Sequence, residues 1–411
     1  MMLSRRTILG AGAALPLIAA AAPAPAPSLS SITGKAQPIS ADERRSRIAK
    51  AQRLMTEQKI GALLIESGSS LDYFTGIRWW RSERTTAAII PAKGDVVVVT
   101  PAFEEPSVRE TLQVGGDVRP WNEHESPFER LVQALGDRGV AGGRLAVEST
   151  TRFFIVDGLR KTSNAYEIVS GDSIVQACRM VKSPAELALL QLANQVTLAA
   201  LSHTHAHIAL GMGAGDIAAL MTGATRALGG EADDGLVLLN EASAYPHGSH
   251  SAQSVREGSV ILLDFGCKLQ GYQSDISRSW VFGEPTARQR KVWQTVKRGQ
   301  EIVLETAKLG LPVGKIDDAV RSYYESAGWG PGYKLPGLSH RSGHGIGLDG
   351  HEPPYLVHGD ATPLAAGMCF SDEPGIYIPG EFGIRLEDCW HMTESGPVLF
   401  TPLAKSLEQP I

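Results

Sequence analysis

The chain has 411 residues, 43% of them hydrophobic and 20% charged, with a formal net charge of −5. This is the balance of a globular protein with room for two domains, and it leaves no basic footprint for nucleic acid, so no nucleic-acid partner is expected. At the start of the chain, Ser4-Arg5-Arg6 precedes the uncharged stretch TILGAGAALPLIAAAA and the Ala/Pro tract APAPAPS. A twin arginine ahead of a modest apolar run with small residues at its end has the form of a twin-arginine export signal. Residues 1–27 are therefore read as signal and Ala/Pro tract, and the mature protein as periplasmic. The run is shorter and softer than the roughly 20 apolar residues of a spanning helix, so no membrane attachment is expected after signal removal.

Ser40-Ala41-Asp42-Glu43 is a capping-box pattern that opens an amphipathic helix through about Gln58, with Ile48, Ala51, Leu54 and Met55 at helical spacing. GALLIES, TTAAIIPA and DVVVVTP then read as strands, the last two joined at Ala92 to Gly94. Trp79-Trp80-Arg81 falls between strand-like segments and is expected in a loop. Helix and strand signals continue through ERLVQALGD, RLAVES and YEIVSG, so residues 40–178 form a mixed α/β domain.

A junction follows near Cys178 to Lys182. Ser183-Pro184-Ala185-Glu186 combines N-cap, N1 proline and N3 glutamate, a strong start for a helix running to about Leu210. His203, His205 and His207 lie on that helix, where residues two apart do not face the same way, so no three-ligand site is expected. Beyond it, VILLDFG and DISRSWVFG predict a hairpin turning around Lys268 to Gly271, and DEPGIYIP and FGIRLEDCW a second around Pro379-Gly380 with one glutamate on each strand. Arg385, two residues from Glu387, should share its face of the strand. Cys178, Cys267, Cys369 and Cys389 fall in or beside predicted core segments and are expected as free buried thiols.

Five potential ligands occur in the order Asp264, Asp275, His344, Glu373, Glu387. Four carboxylates and an imidazole brought to one spot repel one another unless cations lie between them, and such an oxygen-rich set suits hard or borderline divalent ions. The local wording resembles the pita-bread metallopeptidases, the family of methionine aminopeptidase, Xaa-Pro aminopeptidase and Xaa-Pro dipeptidase. It is carried by Asp264-Phe265-Gly266, by Ser274-Asp275-Ile276-Ser277-Arg278, by Gly343 to Leu348 around His344, by Glu373-Pro374-Gly375-Ile376-Tyr377 and by Gly383 to Asp388 around Glu387. The resemblance covers essentially everything after about residue 40. It implies a creatinase- or prolidase-like N-terminal domain and a catalytic domain over residues 183–405, in which a curved antiparallel sheet backed by helices holds the site.

The resemblance also implies roles. Asp264 and Asp275 would chelate one of two divalent ions, manganese first, with zinc, cobalt or iron open. Asp275, His344 and Glu373 would help hold the other, with Glu387 bridging and Arg385 stabilising the crowded carboxylates. Glu373 is the expected proton acceptor from the attacking water. His247 and His351 are expected to stabilise the tetrahedral intermediate and assist the leaving nitrogen, and His340 matches a position of the Xaa-Pro aminopeptidase branch. The substrate is a peptide with proline in second place, and a homodimer is expected, with the Trp79-Trp80 loop lining the neighbour's substrate entrance.

Related dipeptidases carry arginine in H-E-x-P-R, where this chain has His351-Glu352-Pro353-Pro354-Tyr355. Tyrosine supplies no fixed charge for a substrate carboxylate, which places Xaa-Pro aminopeptidase ahead of Xaa-Pro dipeptidase. A creatinase-like, metal-free hydrolase or a non-catalytic binding protein on the same scaffold predicts replaced ligands, and none is replaced. Other hydrolytic or lyase chemistry on the same metals stays open.

Overall fold

The computed structural model describes residues 29–411. The expected export signal, residues 1–27, lies outside the described residues. From residue 41 to 179 the chain alternates helix and strand around one six-stranded sheet, ordered Gly116–Trp121, Val96–Pro101, Ala87–Pro91, Ala62–Glu66, Gly143–Val147, Tyr166–Ser170. The three central apolar runs, ALLIE, AAIIP and VVVVTP, are buried along their whole length, as a sheet covered by helices on both faces requires. Their alternation divides them between two cores. Leu63, Ile65, Ala88 and Ile90 pack with Ala51 and Met55 of the helix Ala41–Glu57, whereas Ala62, Leu64, Ala87 and Ile89 pack with Leu131, Leu135, Ile155 and Leu159 on the opposite face.

The first helix starts as expected, with Ser40 Oγ accepting from the Glu43 amide, but the box is not closed. Glu43 instead pairs with Arg47 and accepts from Ser183 Oγ, because a guanidinium and a hydroxyl from the next unit outcompete one local amide. The box at Ser183 does close: Ser183 Oγ accepts from the Glu186 amide and Glu186 accepts from the Ser183 amide. That helix spans Pro184–His207. His203 and His207 stack on it 4.1 Å apart while His205 turns to Trp280.

In the second unit, Ser259–Phe265 pairs antiparallel with Ile276–Phe282, setting Asp264 opposite Ser277. The connection is more than the polar turn expected: Cys267–Leu269 and Tyr272–Gln273 form a smaller ladder of their own, turning at Gln270 and Gly271 with positive φ. The second expected hairpin is also modified. Cys369–Asp372 pairs with Asp388–Thr393 in a five-stranded sheet, and Gly375–Ile378 pairs with Phe382–Arg385 in a separate two-stranded one. Neither glutamate lies on a strand. Glu373 and Glu387 sit at the seam between these sheets, where Pro374 has no amide to continue a ladder. Their own amides turn to the carbonyls of Ser342 and Ser277. All four cysteines are free and buried.

Candidate metal centre

Five segments deliver the acidic and imidazole groups. Asp264 is the last residue but one of a strand, Asp275 precedes its partner strand, and Glu373 and Glu387 lie at the seam. His344 occupies the three-residue strand Gly343–Gly345, between Glu352–Leu356 and Cys369–Asp372, at a bulge in its pairing with the former. The flanking glycines are required by close approach: a Cβ at Gly343 would stand 2.2 Å from the Ser371 carbonyl oxygen, and one at Gly345 2.4 Å from that of Glu352.

The structure brings together Asp264, Asp275, His344, Glu373 and Glu387. Three three-residue groups have donor atoms mutually within 4.8 Å: Asp264, Asp275 and Glu387; His344, Glu373 and Glu387; and Asp275, His344 and His351. Glu387 belongs to the first two. His344 Nε2 lies 3.7 Å from Asp275 Oδ2, 3.6 Å from Glu373 Oε1 and 3.8 Å from Glu387 Oε1. These separations exceed a hydrogen bond and suit atoms that share a cation. His344 Nε2 and Glu387 Oε1 are buried and have no hydrogen-bond partner among the described residues, an arrangement that costs free energy unless something binds there. The donor set therefore fits divalent metal.

Electrostatics agree. Burial, then the neighbouring carboxylates, pushes Asp275 and Glu387 well above the ordinary carboxylate range. Burial pushes Glu373 up to about 8 against the relief given by Arg385. Burial, then His351, drives His344 far below its usual value, leaving a neutral imidazole with a lone pair to donate.

A shell of polar groups orients this cluster. Arg385 donates to Asp264 Oδ2, to Ser277 Oγ at 3.0 Å, and through Nη1 to the Pro246 carbonyl and the Tyr377 hydroxyl, each at 3.1 Å. Ser277 Oγ in turn donates to Glu387 Oε2 at 2.7 Å. His340 Nε2 is 2.7 Å from the Tyr377 hydroxyl, and its Nδ1 is 2.7 Å from the Arg341 carbonyl. Burial, then Arg385, lowers its pKa to about 3.

Of the other expected residues, His351 is exposed and its ring stacks 3.8 Å from that of His344. His247 is exposed on the loop that Arg385 fastens through Pro246, outside all three donor groups. Ser277, Tyr377 and Arg341 were not singled out in the sequence; Ser277 and Tyr377 lie inside quoted motifs, and their spacing from the ligands was the available signal. A cavity of about 570 Å³ opens between the N-terminal sheet and the segment after His344, with His351, Tyr355 and Arg81 in its wall. The Trp79-Trp80 loop has no regular structure. Trp79 bonds Glu104, and Trp80, stacked on it at 4.8 Å, is 67% exposed.

Comparison with known proteins gives two family matches. The model of metallopeptidase family M24 matches residues 188–394, and that of the creatinase/prolidase N-terminal domain matches residues 47–181. The chain is 31% identical to the probable dipeptidase PepE of Mycobacterium tuberculosis over 86% of this chain and 92% of that protein. It is 29% identical to the Xaa-Pro dipeptidase of Lactobacillus helveticus, over 87% and 97% respectively. The crystal structure of X-Pro aminopeptidase from Thermotoga maritima superposes with a TM-score of 0.77 at 27% identity, over 87% of this chain and 98% of that one.

Proposed function

Because this chain belongs to metallopeptidase family M24, with a creatinase/prolidase domain ahead of the catalytic one, we propose that it is an Xaa-Pro dipeptidase using two divalent ions, manganese first. The observation that carries the hydrolytic reading is the pair of donor groups sharing Glu387, with buried atoms left unpartnered. The names of the dipeptidase relatives favour a dipeptide substrate over the longer peptides of the aminopeptidase expected from Tyr355. Aminopeptidase stays the second reading, supported by that tyrosine and by the Thermotoga structure.

Asp264 and Asp275 would hold one ion and His344 and Glu373 the other, with Glu387 common to both. Bound there, the ions supply an activated water and polarise the scissile carbonyl. The chain's own residues do the rest. Glu373 takes the proton of the attacking water, a role suited to a largely buried carboxylate 3.6 Å from the His344 imidazole. His351, beside His344, donates to the oxygen that gains charge in the tetrahedral intermediate, and His247 at the rim assists the leaving imino nitrogen. Arg385 aims Asp264, and Ser277 fixes one oxygen of Glu387.

The test is hydrolysis of Xaa-Pro beside Xaa-Pro-Yaa by the manganese-loaded protein. A preference of about tenfold or more for the dipeptides is expected, a modest ratio for a polar recognition group. Cleavage of the longer peptides alone would move the assignment to aminopeptidase, and hydrolysis that survives exhaustive chelation would end the metal reading. Twin-arginine export and a homodimer belong to the same proposal. Lysine at both Arg5 and Arg6 should retain the protein in the cytoplasm, and sedimentation should give twice the chain mass.

A further inference from the structure

Most arginines around the centre are already committed. Arg385 is bound to Asp264, Ser277, Pro246 and Tyr377. Arg321 binds Asp317 and the carbonyls of Gly332, Leu338 and His340. Arg179 pairs with Asp349 and Glu352. Arg341 differs. Its guanidinium carbon lies 4.2 Å over the ring of Tyr355, with no hydrogen-bond or ion-pair partner among the described residues.

Its position is next to the reacting groups. Tyr355 lies opposite His344 in the ladder and shares a cavity wall with His351. A half-buried cation with no partner is costly, and stacking does not saturate it. The ring covers one face of the guanidinium plane, which fixes its direction, while the N–H donors point outward from the edges in the fork that matches a carboxylate. The cavity that Tyr355 and His351 border, about 570 Å³, falls in the size range of small-ligand sites, and Arg341 reaches its edge only through the Tyr355 ring.

We infer that Arg341, held flat by Tyr355, binds the free carboxylate of a dipeptide lying beside His351 and His344. The inference rests on the dipeptidase reading. Tyr355 brings no charge of its own; it serves as the platform for a charge supplied by the segment just ahead of the neighbouring strand. Arg341 is thereby a specificity-determining residue, and it selects two-residue peptides because a third residue would replace the carboxylate with an amide.

The experiment compares the manganese-loaded full chain with its Arg341→Met, Arg341→Lys and Arg81→Met variants on an Xaa-Pro dipeptide and the corresponding Xaa-Pro amide. Arg81 lines the cavity that Tyr355 and His351 border, and it already donates Nε to the Ser67 carbonyl, which makes it the control. The wild type should prefer the acid. Arg341→Met should reduce that preference by about ten- to a hundredfold, the worth of a charge-assisted hydrogen bond, chiefly through KM. Arg341→Lys should keep part of it, and Arg81→Met should leave the ratio in place. Proline as product inhibitor should weaken in parallel in Arg341→Met, while prolinamide should not. An acid preference that survives in Arg341→Met, or that is lost in Arg81→Met instead, overturns the inference while the peptidase assignment stands. A wild type that cleaves no proline peptide refutes the assignment itself and the inference with it.

Discussion

Ser277 Oγ accepts from Arg385 and donates to Glu387, so one hydroxyl sets both the charge carrier and the shared carboxylate. Ser277→Ala should lower metal affinity by about ten- to a hundredfold, as loss of a group orienting a ligand does, read by metal titration of the apo-protein. The carboxylates give a pH signature. With Glu373 pushed up to about 8 by burial, against an unfolded value near 4.3, the folded metal-free chain binds the extra proton. That contribution is present below the unfolded value and is lost as pH rises through about 8. Manganese should therefore raise Tm more at pH 8 than at pH 6; equal gains would mean that Glu373 is not part of the metal site. His340 behaves differently. A guanidinium cannot accept and a carbonyl cannot donate, so the order must be Arg385 to Tyr377, Tyr377 to His340 Nε2, and His340 Nδ1 to the Arg341 carbonyl. Both ring nitrogens are engaged, which makes His340 an anchor for its neighbour Arg341.

The strand around His344 is short, and its place depends on what the flanking residues lack. Gly343→Ala would drive a Cβ into the Ser371 carbonyl oxygen and force the paired strands apart. A loss of roughly 3 kcal/mol is expected from such overpacking. Gly380→Ala meets open space, with only its φ of +79° to resist it, and should cost roughly 1 kcal/mol. Denaturant titration of the two variants checks the order. This contrast marks what was legible in the sequence. Ser183 to Glu186 announced a helix start because every partner lies within one turn, and the six-stranded sheet's apolar runs were readable because each is continuous. The seam at Glu373 and Glu387 was not readable: local pattern supports one long hairpin, and the break arises from which distant strand each half pairs with. The open box at Glu43 has the same cause, since Ser183 is remote in sequence. At the centre, spacing located the five clustered groups, whereas Arg341 acquired meaning only from a stack on Tyr355 in another strand.

Across the whole molecule, the two halves are joined by polar and apolar contacts alike. Glu352 is buried against Lys182 and Arg179, at 2.6 and 2.5 Å. Burial alone would raise its carboxyl, but those cations hold it below the usual range. Glu352→Gln should destabilise the protein by roughly 3–5 kcal/mol because Lys182 is left as an uncompensated buried charge. Adding Lys182→Met should restore part of the loss, as thermal unfolding of the single and double variants would show. Behind these pairs, one apolar cluster runs from Ile39, Met55 and Phe74 of the first unit to Leu190, Ile261 and Cys389 of the second. The family matches end at residue 181 and resume at residue 188, but the core has no such gap. The connecting peptide near Lys182 is thus a tether between surfaces that already adhere. If it were cut, the two fragments would lose little beyond chain connectivity, and co-produced halves divided there should find each other and complement into one working enzyme.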